Sequence, residues 1–147
     1  MVSFKIRIDA APEQVFEEIS HVERHPSWAN PNAKMKMEQV VGSGPGRDST
    51  YRSSAVFIKK PVSADISVAA YEPSRRFAIR SDQHQEGKKD VWFQNDYELS
   101  PEGEGTTVTK TVTSDGNPLP FYLAYPAVRA DQMKALKALK RKVEGSG

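Results

Sequence analysis

Apolar and polar residues alternate along most of the first 115 residues, which is the pattern of half-buried β-strands. The alternation begins with Val2, Phe4, Ile6 and Ile8. It resumes near residue 34 and continues to Val112, interrupted by turns rich in glycine and proline. The inward positions predicted for these six later strands are Met35, Met37, Gln39, Val41; Tyr51, Ser53, Ala55, Phe57; Val62, Ala64, Ile66, Val68, Ala70; Phe77, Ile79, Ser81; Val91, Phe93, Asn95, Tyr97, Leu99; and Val108, Lys110, Val112.

A helical period replaces the alternation between the first and second strands. Pro12 and Glu13 suit a first helical turn, and Val15, Phe16, Ile19 and Val22 form one apolar stripe. The following segment, 25–31, is bracketed by prolines and has room for only one or two further helical turns. Two short helices are therefore predicted here.

The end of the chain, from Leu119 to Glu144, has the pattern of a long amphipathic helix. One face carries Phe121, Tyr125, Val128, Gln132, Ala135, Leu136, Leu139 and Val143, and the opposite face carries Lys134, Lys137 and Arg141. Asn117 is the predicted N-cap, Pro118 the first helical residue and Gly145 the stop. Pro126 is expected to kink the helix and to offer a place for a cavity entrance.

The resulting order is strand, two helices, six strands and a long helix. Regular turns favour antiparallel pairing with one apolar face, and the last helix is the element able to cover that face. The predicted fold is thus α+β, a curved antiparallel sheet of about seven strands wrapped around the C-terminal helix. Such a sheet need not fill its interior, and the gap can hold a ligand.

Length and charge narrow the choice of function. A chain of 147 residues is expected to form one domain, and its net charge of +2 is too weak for a typical nucleic-acid-binding protein. The chain has no cysteine, so disulfides and thiolate catalysis are excluded. No apolar run reaches the length of a membrane span, and the N-terminus lacks the apolar core of a signal peptide, so we expect a cytoplasmic protein.

Several segments resemble the START-like helix-grip superfamily (SRPBCC). They are the first strand followed by Ala11-Pro12-Glu13-Gln14-Val15-Phe16, a tryptophan near the second helix (Trp28), Gly44-Pro45-Gly46 before a strand, and the last helix ending in residues 136–144. The superfamily includes polyketide cyclase/dehydrase-type, pollen-allergen-like and lipid-transfer proteins. The resemblance implies that residues 1–147 form one START-like helix-grip domain, but it supplies no catalytic motif that maps onto this chain.

Three motifs with apparent chemistry favour structural interpretations. His21 and His25 have the spacing of a zinc-binding helix, but Val22 replaces the glutamate of that motif and Pro26 disfavours helix, so we predict surface histidines and no metal. The segment 42–46 joins two strands and lacks the lysine of a phosphate loop, which indicates a hairpin. Asp96 and Glu98 share a face with Trp92 and Gln94 and are expected on the solvated side of the sheet.

Polar residues at inward positions are the best candidates for a binding site. Buried polar groups need partners, so either they bond to one another or they line a partly wet cavity that orients a ligand. Aromatic residues would supply apolar walls. The predicted ligand-binding residues are Trp28, Tyr51, Ser53, Phe57, Phe93, Asn95, Tyr97, Lys110, Tyr125 and Gln132.

The function predicted from these features is binding of a small hydrophobic or amphipathic ligand, lipid-like or polyketide-like, without a cofactor. The first alternative is a polyketide cyclase, aromatase or dehydratase, with Lys110, Tyr51 and Tyr97 as acid–base candidates. The second is a protein-interaction module that uses the basic end of the last helix on an acidic partner. No nucleic-acid partner and no transmembrane segment are expected, and a homodimer is left open.

Overall fold

The computed structural model describes residues 1–29, 35–57, 59–115 and 123–146. Within these ranges seven strands form one antiparallel sheet, which confirms the predicted strand count. The strands are β1 Val2–Ile8, β2 Lys36–Val41, β3 Thr50–Phe57, β4 Lys60–Glu72, β5 Arg76–Gln85, β6 Val91–Glu102 and β7 Gly105–Ser114. Their order across the sheet is β1-β7-β6-β5-β4-β3-β2, so β1 joins β7 and all other neighbours are hairpins.

Helices lie between β1 and β2 and at the C-terminal end of the chain, as predicted. The helix α1 spans Pro12–Ser20, a 3₁₀ helix spans Val22–Ser27, and the C-terminal helix α2 spans Tyr125–Ser146. Pro12 lies in the first turn of α1, where its missing amide costs no internal hydrogen bond. None of the helices in the described part of the chain has a stretch long and apolar enough to cross a membrane.

The core lies between one face of the sheet and the two α-helices. Its fully buried side chains include Trp28, Phe77 and Tyr97, which pack with Leu136 and Leu139 of α2. Almost all inward positions predicted from the alternation are buried or half-buried. Among the inward positions whose side chains are described, Val41 is the exception at 53% exposure, because the pairing of β2 with β3 shifts between Gln39 and Val41 and turns the end of the strand outward.

The C-terminal helix has the predicted faces but different ends. Ala135, Leu136, Leu139 and Val143 are buried, and the predicted outer face of lysines and Arg141 is exposed. The expected stop at Gly145 is wrong, because α2 continues to Ser146. Pro126 lies in the first turn of α2, a position that proline tolerates. Leu123 is also helical and Ala124 is a turn residue, so the helical backbone is interrupted two residues before Pro126, and the expected kink stays a prediction. Asn117, Pro118, Leu119 and Phe121 lie outside the described residues.

The outer face of the sheet carries charged pairs, as predicted for Asp96. Nε of Arg76 donates hydrogen bonds to both carboxylate oxygens of Asp96, at 3.1 and 3.0 Å. On the same face the Arg80 guanidinium lies 4.7 Å from the centre of the Trp92 ring. The segment 42–46 joins β2 to β3 as a hairpin loop, which the Gln39 side chain holds by hydrogen bonds to Gly44 N at 3.0 Å and Gly44 O at 2.8 Å.

Candidate functional site

A cavity of about 370 Å³ lies between the inner face of the sheet and the first turns of α2. Helix α2 contributes Val128, Asp131 and Gln132, which share one face because they are spaced three and four apart. The apolar lining residues are Ala29, Met35, Met37, Ala64, Ile66, Ile79, Phe93, Val112 and Val128. The polar lining residues are His25, Ser53, Ser81, Gln83, Asn95, Tyr97, Asp131 and Gln132.

Strand pairing explains how the sheet mixes polar and apolar groups in this wall. Directly paired residues form rows across the sheet, and each row that reaches the cavity contains both kinds. One row runs Met37–Ser53–Ala64–Gln83, the next contains Ile66–Ser81–Phe93, and a third contains Ile79–Asn95–Val112. The wall therefore combines apolar area with hydrogen-bonding groups in every row that reaches the cavity.

A fourth row closes the inner end of the cavity with aromatic and basic side chains. It runs Phe4–Lys110–Tyr97–Phe77, and of these residues Tyr97 lines the cavity. Lys110 is only 4% exposed, and its Nζ lies 5.4 Å from the centre of the Tyr97 ring. Burial lowers the pKa of Lys110 to about 8, because the ammonium loses its hydration. Burial also raises the pKa of the Tyr97 phenol, which stays neutral.

His25 lines the cavity from the 3₁₀ helix and is held in one orientation. Its Nε2 lies 2.7 Å from the carbonyl oxygen of Ile19, and its ring packs 4.7 Å from that of Trp28. A carbonyl can only accept, so Nε2 carries the proton and Nδ1 is left as an acceptor. Burial lowers the pKa of His25 to about 4, and the nearby Lys110 charge acts in the same direction. The imidazole is therefore neutral near pH 7.

The prediction that His25 is a surface histidine is wrong, since it is 3% exposed. The 3₁₀ helix turns this residue inward, which the spacing to His21 did not indicate. The ring nitrogen Nδ1 of His21 instead lies 2.5 Å from the Glu17 carbonyl oxygen. Across residues 1–29, 35–57, 59–115 and 123–146, no three His, Cys, Asp or Glu side chains are grouped so as to hold a metal ion.

The structure brings five of the predicted binding residues to the cavity wall. These are Ser53, Phe93, Asn95, Tyr97 and Gln132. The Oε1 atom of Gln132 is buried and has no hydrogen-bond partner among the described residues. A buried acceptor without a donor is unfavourable, so this atom is a place where water or a ligand would bond.

The other predicted binding residues are not among those that line the cavity. Trp28 and Tyr51 are buried in the core, and Lys110 lies behind Tyr97. Tyr125 is half-buried and stacks on Phe4 with ring centres 6.3 Å apart. The side chain of Phe57 lies outside the described part of the structure. Their role in binding stays a prediction.

Sequence reasoning missed several lining residues. Gln83 follows Ser81 in the same alternation, so extending the predicted strand by two residues would have found it. Asp131 was missed because it is charged, although it lies three residues after Val128 at the edge of the apolar stripe of α2. His25 had no comparable signal in the sequence.

The comparison with protein families gives one match that spans residues 1–144, to the family described as polyketide cyclase / dehydrase and lipid transport. The chain belongs to this family. The START-like resemblance is thus confirmed, and with it the helix-grip α+β fold. Membership in the polyketide cyclase/dehydrase and lipid transport family supports a ligand-binding or polyketide-related role. A comparison with curated proteins found no match.

Solved structures support the same fold. A conserved protein from Geobacillus kaustophilus superposes with a TM-score of 0.76 at 16% identity, covering 98% of this chain and 95% of its own. TTHA0849 from Thermus thermophilus has a TM-score of 0.71 at 22% identity and covers 99% and 98%. DynU16 of the dynemicin biosynthetic locus has a TM-score of 0.65 at 20% identity, covering 97% of this chain and 46% of its own.

Proposed function

We propose that the protein binds a small amphipathic molecule in the cavity between the sheet and α2. The observation that carries this proposal is the composition of the cavity wall, which combines nine apolar with eight polar side chains. Small-molecule sites combine apolar area, which supplies affinity, with polar atoms that fix the orientation of the ligand. The family to which the chain belongs supports the same interpretation.

The cavity volume limits the size of the ligand. At about 370 Å³ it lies near the lower end of the range of about 300–1,000 Å³ for ligand pockets. An engineered protein cavity of about 150 Å³ holds one benzene molecule. By that measure the cavity accommodates a molecule of about two rings, or a short chain of similar volume.

Polar atoms in the wall indicate where such a ligand would form hydrogen bonds. The buried Oε1 of Gln132 requires a donor, and Nδ1 of His25 is an acceptor because Nε2 bonds to Ile19. A hydroxyl or amide N–H on the ligand would satisfy either atom. Of the two ligand classes predicted from the sequence, hydrophobic and amphipathic, these atoms favour the amphipathic one.

The second candidate is an enzyme of the polyketide cyclase or dehydratase type. His25, Tyr97 and Lys110 lie together at the inner end of the cavity, with the His25 and Tyr97 ring centres 6.5 Å apart. General acid–base catalysis is most efficient when the pKa of the group is near the working pH. The pKa of His25 is about 4 and that of Tyr97 is raised, so neither group is an effective acid or base near pH 7. Lys110, with a pKa of about 8, is the group of the three that meets this condition, and it remains the acid–base candidate of the enzyme alternative.

The third candidate, docking through the basic end of α2, has less support. Two of its cations are engaged within the chain, since Lys140 Nζ lies 2.5 Å from Glu144 and Lys142 Nζ lies 2.9 Å from Glu18. Internal pairing reduces the charge available to an acidic partner. Lys137 and Arg141 are exposed on the same helix.

The test is to fill the cavity with a bulky side chain placed on α2. Val128 is half-buried and lines the cavity, whereas the neighbouring Ala127 is exposed, so Val128→Trp and Ala127→Trp add an indole to the inside and the outside of the same turn. With the neutral probe naphthalene-2-carboxamide, titration calorimetry should show binding to the wild type and to Ala127→Trp. Val128→Trp should bind at least about tenfold more weakly, a loss of about 1.4 kcal/mol.

Circular dichroism of both variants checks that they fold. Equal affinity of Val128→Trp and the wild type would show that the cavity is not the binding site. Absence of binding to all three proteins, together with a ligand-free mass of the freshly purified wild type, would overturn the proposed function.

A further inference from the structure

We propose that the cavity selects ligands that carry a carboxylate or another anionic oxygen, and that Lys110 is the counterion at its inner end. The inference rests on the proposed function and adds the chemical class of the ligand. It follows from the position of Lys110, the lack of a counter-charge among its described neighbours and a second unpartnered donor beside the same ring.

Lys110 lies one row beyond the cavity wall on the inner face of the sheet. Along β7 it is two residues from Val112, which lines the cavity, so the two side chains leave the same face of the strand. Across the sheet it pairs with Tyr97, which also lines the cavity. The ammonium over the Tyr97 ring is thus separated from the cavity by that one side chain or by its edge.

The buried ammonium has no counter-charge among the residues that the structure describes. None of the ion pairs among them includes Lys110, and none of their hydrogen bonds provides an acceptor for its Nζ. Glu18, the buried carboxylate nearest in the chain to His25, is already engaged by Arg24 at 3.3 Å and by Lys142 at 2.9 Å. Asp131, the carboxylate among the cavity-lining residues, is exposed on α2. Buried charges in proteins are normally paired, because an unpaired one is costly.

A second donor without an acceptor lies at the same end of the cavity. Nε1 of Trp28 is buried and has no hydrogen-bond partner within the described ranges, and the Trp28 ring packs 6.0 Å from that of Tyr97. His25 adds no negative charge, because it is neutral at pH 7. Glu18 acts on His25 from nearby, but its carboxylate is paired with Arg24 and Lys142. Two donors without an acceptor among the described residues therefore leave this end of the cavity electropositive, which an anionic oxygen on the ligand complements.

The test compares two ligands of equal shape that differ in charge. Naphthalene-2-carboxylate and naphthalene-2-carboxamide are titrated by calorimetry into the wild type, Lys110→Met and Lys137→Met at pH 7. Methionine resembles the lysine stem and removes the charge, and Lys137 is an exposed lysine on α2 that serves as the matched control. The carboxylate should bind about 30-fold more weakly to Lys110→Met than to the wild type, the size expected when one partner of a buried charge pair is removed. Carboxamide affinity should stay the same in all three proteins.

The pH dependence supplies a second readout. His25 and Tyr97 are the titratable groups that face Lys110, and neither changes its charge between pH 7 and 9.5. Because the pKa of Lys110 in the free protein is about 8, carboxylate affinity should fall at least about tenfold over this range. Lys110→Met keeps every other charged group, including Asp131, Glu18 and Lys142. Its affinity for the carboxylate should therefore change little between pH 7 and 9.5.

Thermal unfolding establishes that Lys110→Met is folded, and Lys110→Gln replaces it if it is not. Equal binding of carboxylate and carboxamide to the wild type would overturn the inference while leaving the proposed function intact. So would a carboxylate affinity that is unchanged in Lys110→Met. Absence of binding by either probe would overturn both.

Discussion

At the residue scale, burial decides the protonation of three groups at the inner end of the cavity. Burial lowers the pKa of His25 to about 4, raises that of Tyr97 and lowers that of Lys110 to about 8. At pH 7 the imidazole and the phenol are therefore neutral and the amine is mostly charged. Of these three groups only Lys110 carries charge at pH 7, and its buried surroundings screen that charge less than water would.

The pKa of His25 predicts an acid-sensitive stability. An unfolded histidine titrates near 6.5 and folded His25 near 4, so the unfolded chain binds more protons between these values. The free energy of unfolding should therefore decrease as the pH falls through this window, by on the order of 3 kcal/mol from this group. Urea unfolding of the wild type and His25→Gln at pH 7 and pH 4 measures the difference.

Glutamine cannot titrate, and its amide can still donate a hydrogen bond to Ile19. Between pH 7 and pH 4, the free energy of unfolding should therefore fall by about 3 kcal/mol less in His25→Gln than in the wild type. If the stabilities of the two proteins fall in parallel, His25 is not buried as a neutral group.

Only part of the site could be predicted from the sequence. Alternation along a strand determines which face a residue occupies, so the pattern alone placed Ser53, Asn95 and Tyr97 inward. Position along the sheet depends on hairpin register, which alternation does not determine. For this reason the side chain of Lys110 was predicted on the correct face, but its place behind Tyr97 was not foreseen. His25 depended on the turn of a 3₁₀ helix, which has no apolar period of its own.

At the element scale, α2 is both a core helix and a wall of the cavity. Its C-terminal half contributes Leu136, Leu139 and Val143 to the core, and its first turns contribute Val128 and Gln132 to the cavity. The apolar stripe was visible in the sequence because period 3.6 identifies a face. The ends were less clear, because Gly145 permits a stop without requiring one and Pro126 suits a first turn as well as a kink.

A matched pair of substitutions compares a buried leucine of α2 with an exposed leucine that lies just before the helix. Leu136 is 0% exposed and Leu123, just before α2, is 78% exposed. Leu136→Ala should lower the free energy of unfolding by about 2–5 kcal/mol, because it removes buried methyl groups and leaves a cavity. Leu123→Ala should change it by no more than about 0.5 kcal/mol. Urea unfolding midpoints measure both, and a similar effect of the two changes would mean that the Leu136 face is not packed on the sheet.

At the scale of the whole molecule, the cavity lies between elements that are distant in the sequence. Its wall includes residues of β2, β5, β7 and α2, so a ligand contacts both layers of the fold. A molecule bound there is expected to stabilise the folded chain as a unit, since unfolding either layer destroys the site. The predicted order of elements and the apolar faces were sufficient to place a cavity between sheet and helix. The family match supports this picture without naming a ligand.

Ligand binding should accordingly raise the melting temperature of the wild type. At a concentration of naphthalene-2-carboxylate about 100 times its dissociation constant, the folded state gains about 2.7 kcal/mol. For a chain of this size the corresponding shift is about 5–10 °C. Differential scanning calorimetry should show the shift in the wild type and in Ala127→Trp, increasing with ligand concentration. Val128→Trp, whose cavity is filled, should show almost none at the same concentrations. An equal shift in Val128→Trp would mean that the carboxylate stabilises the protein from a surface site, and the cavity between sheet and helix would then lose its role as the binding site.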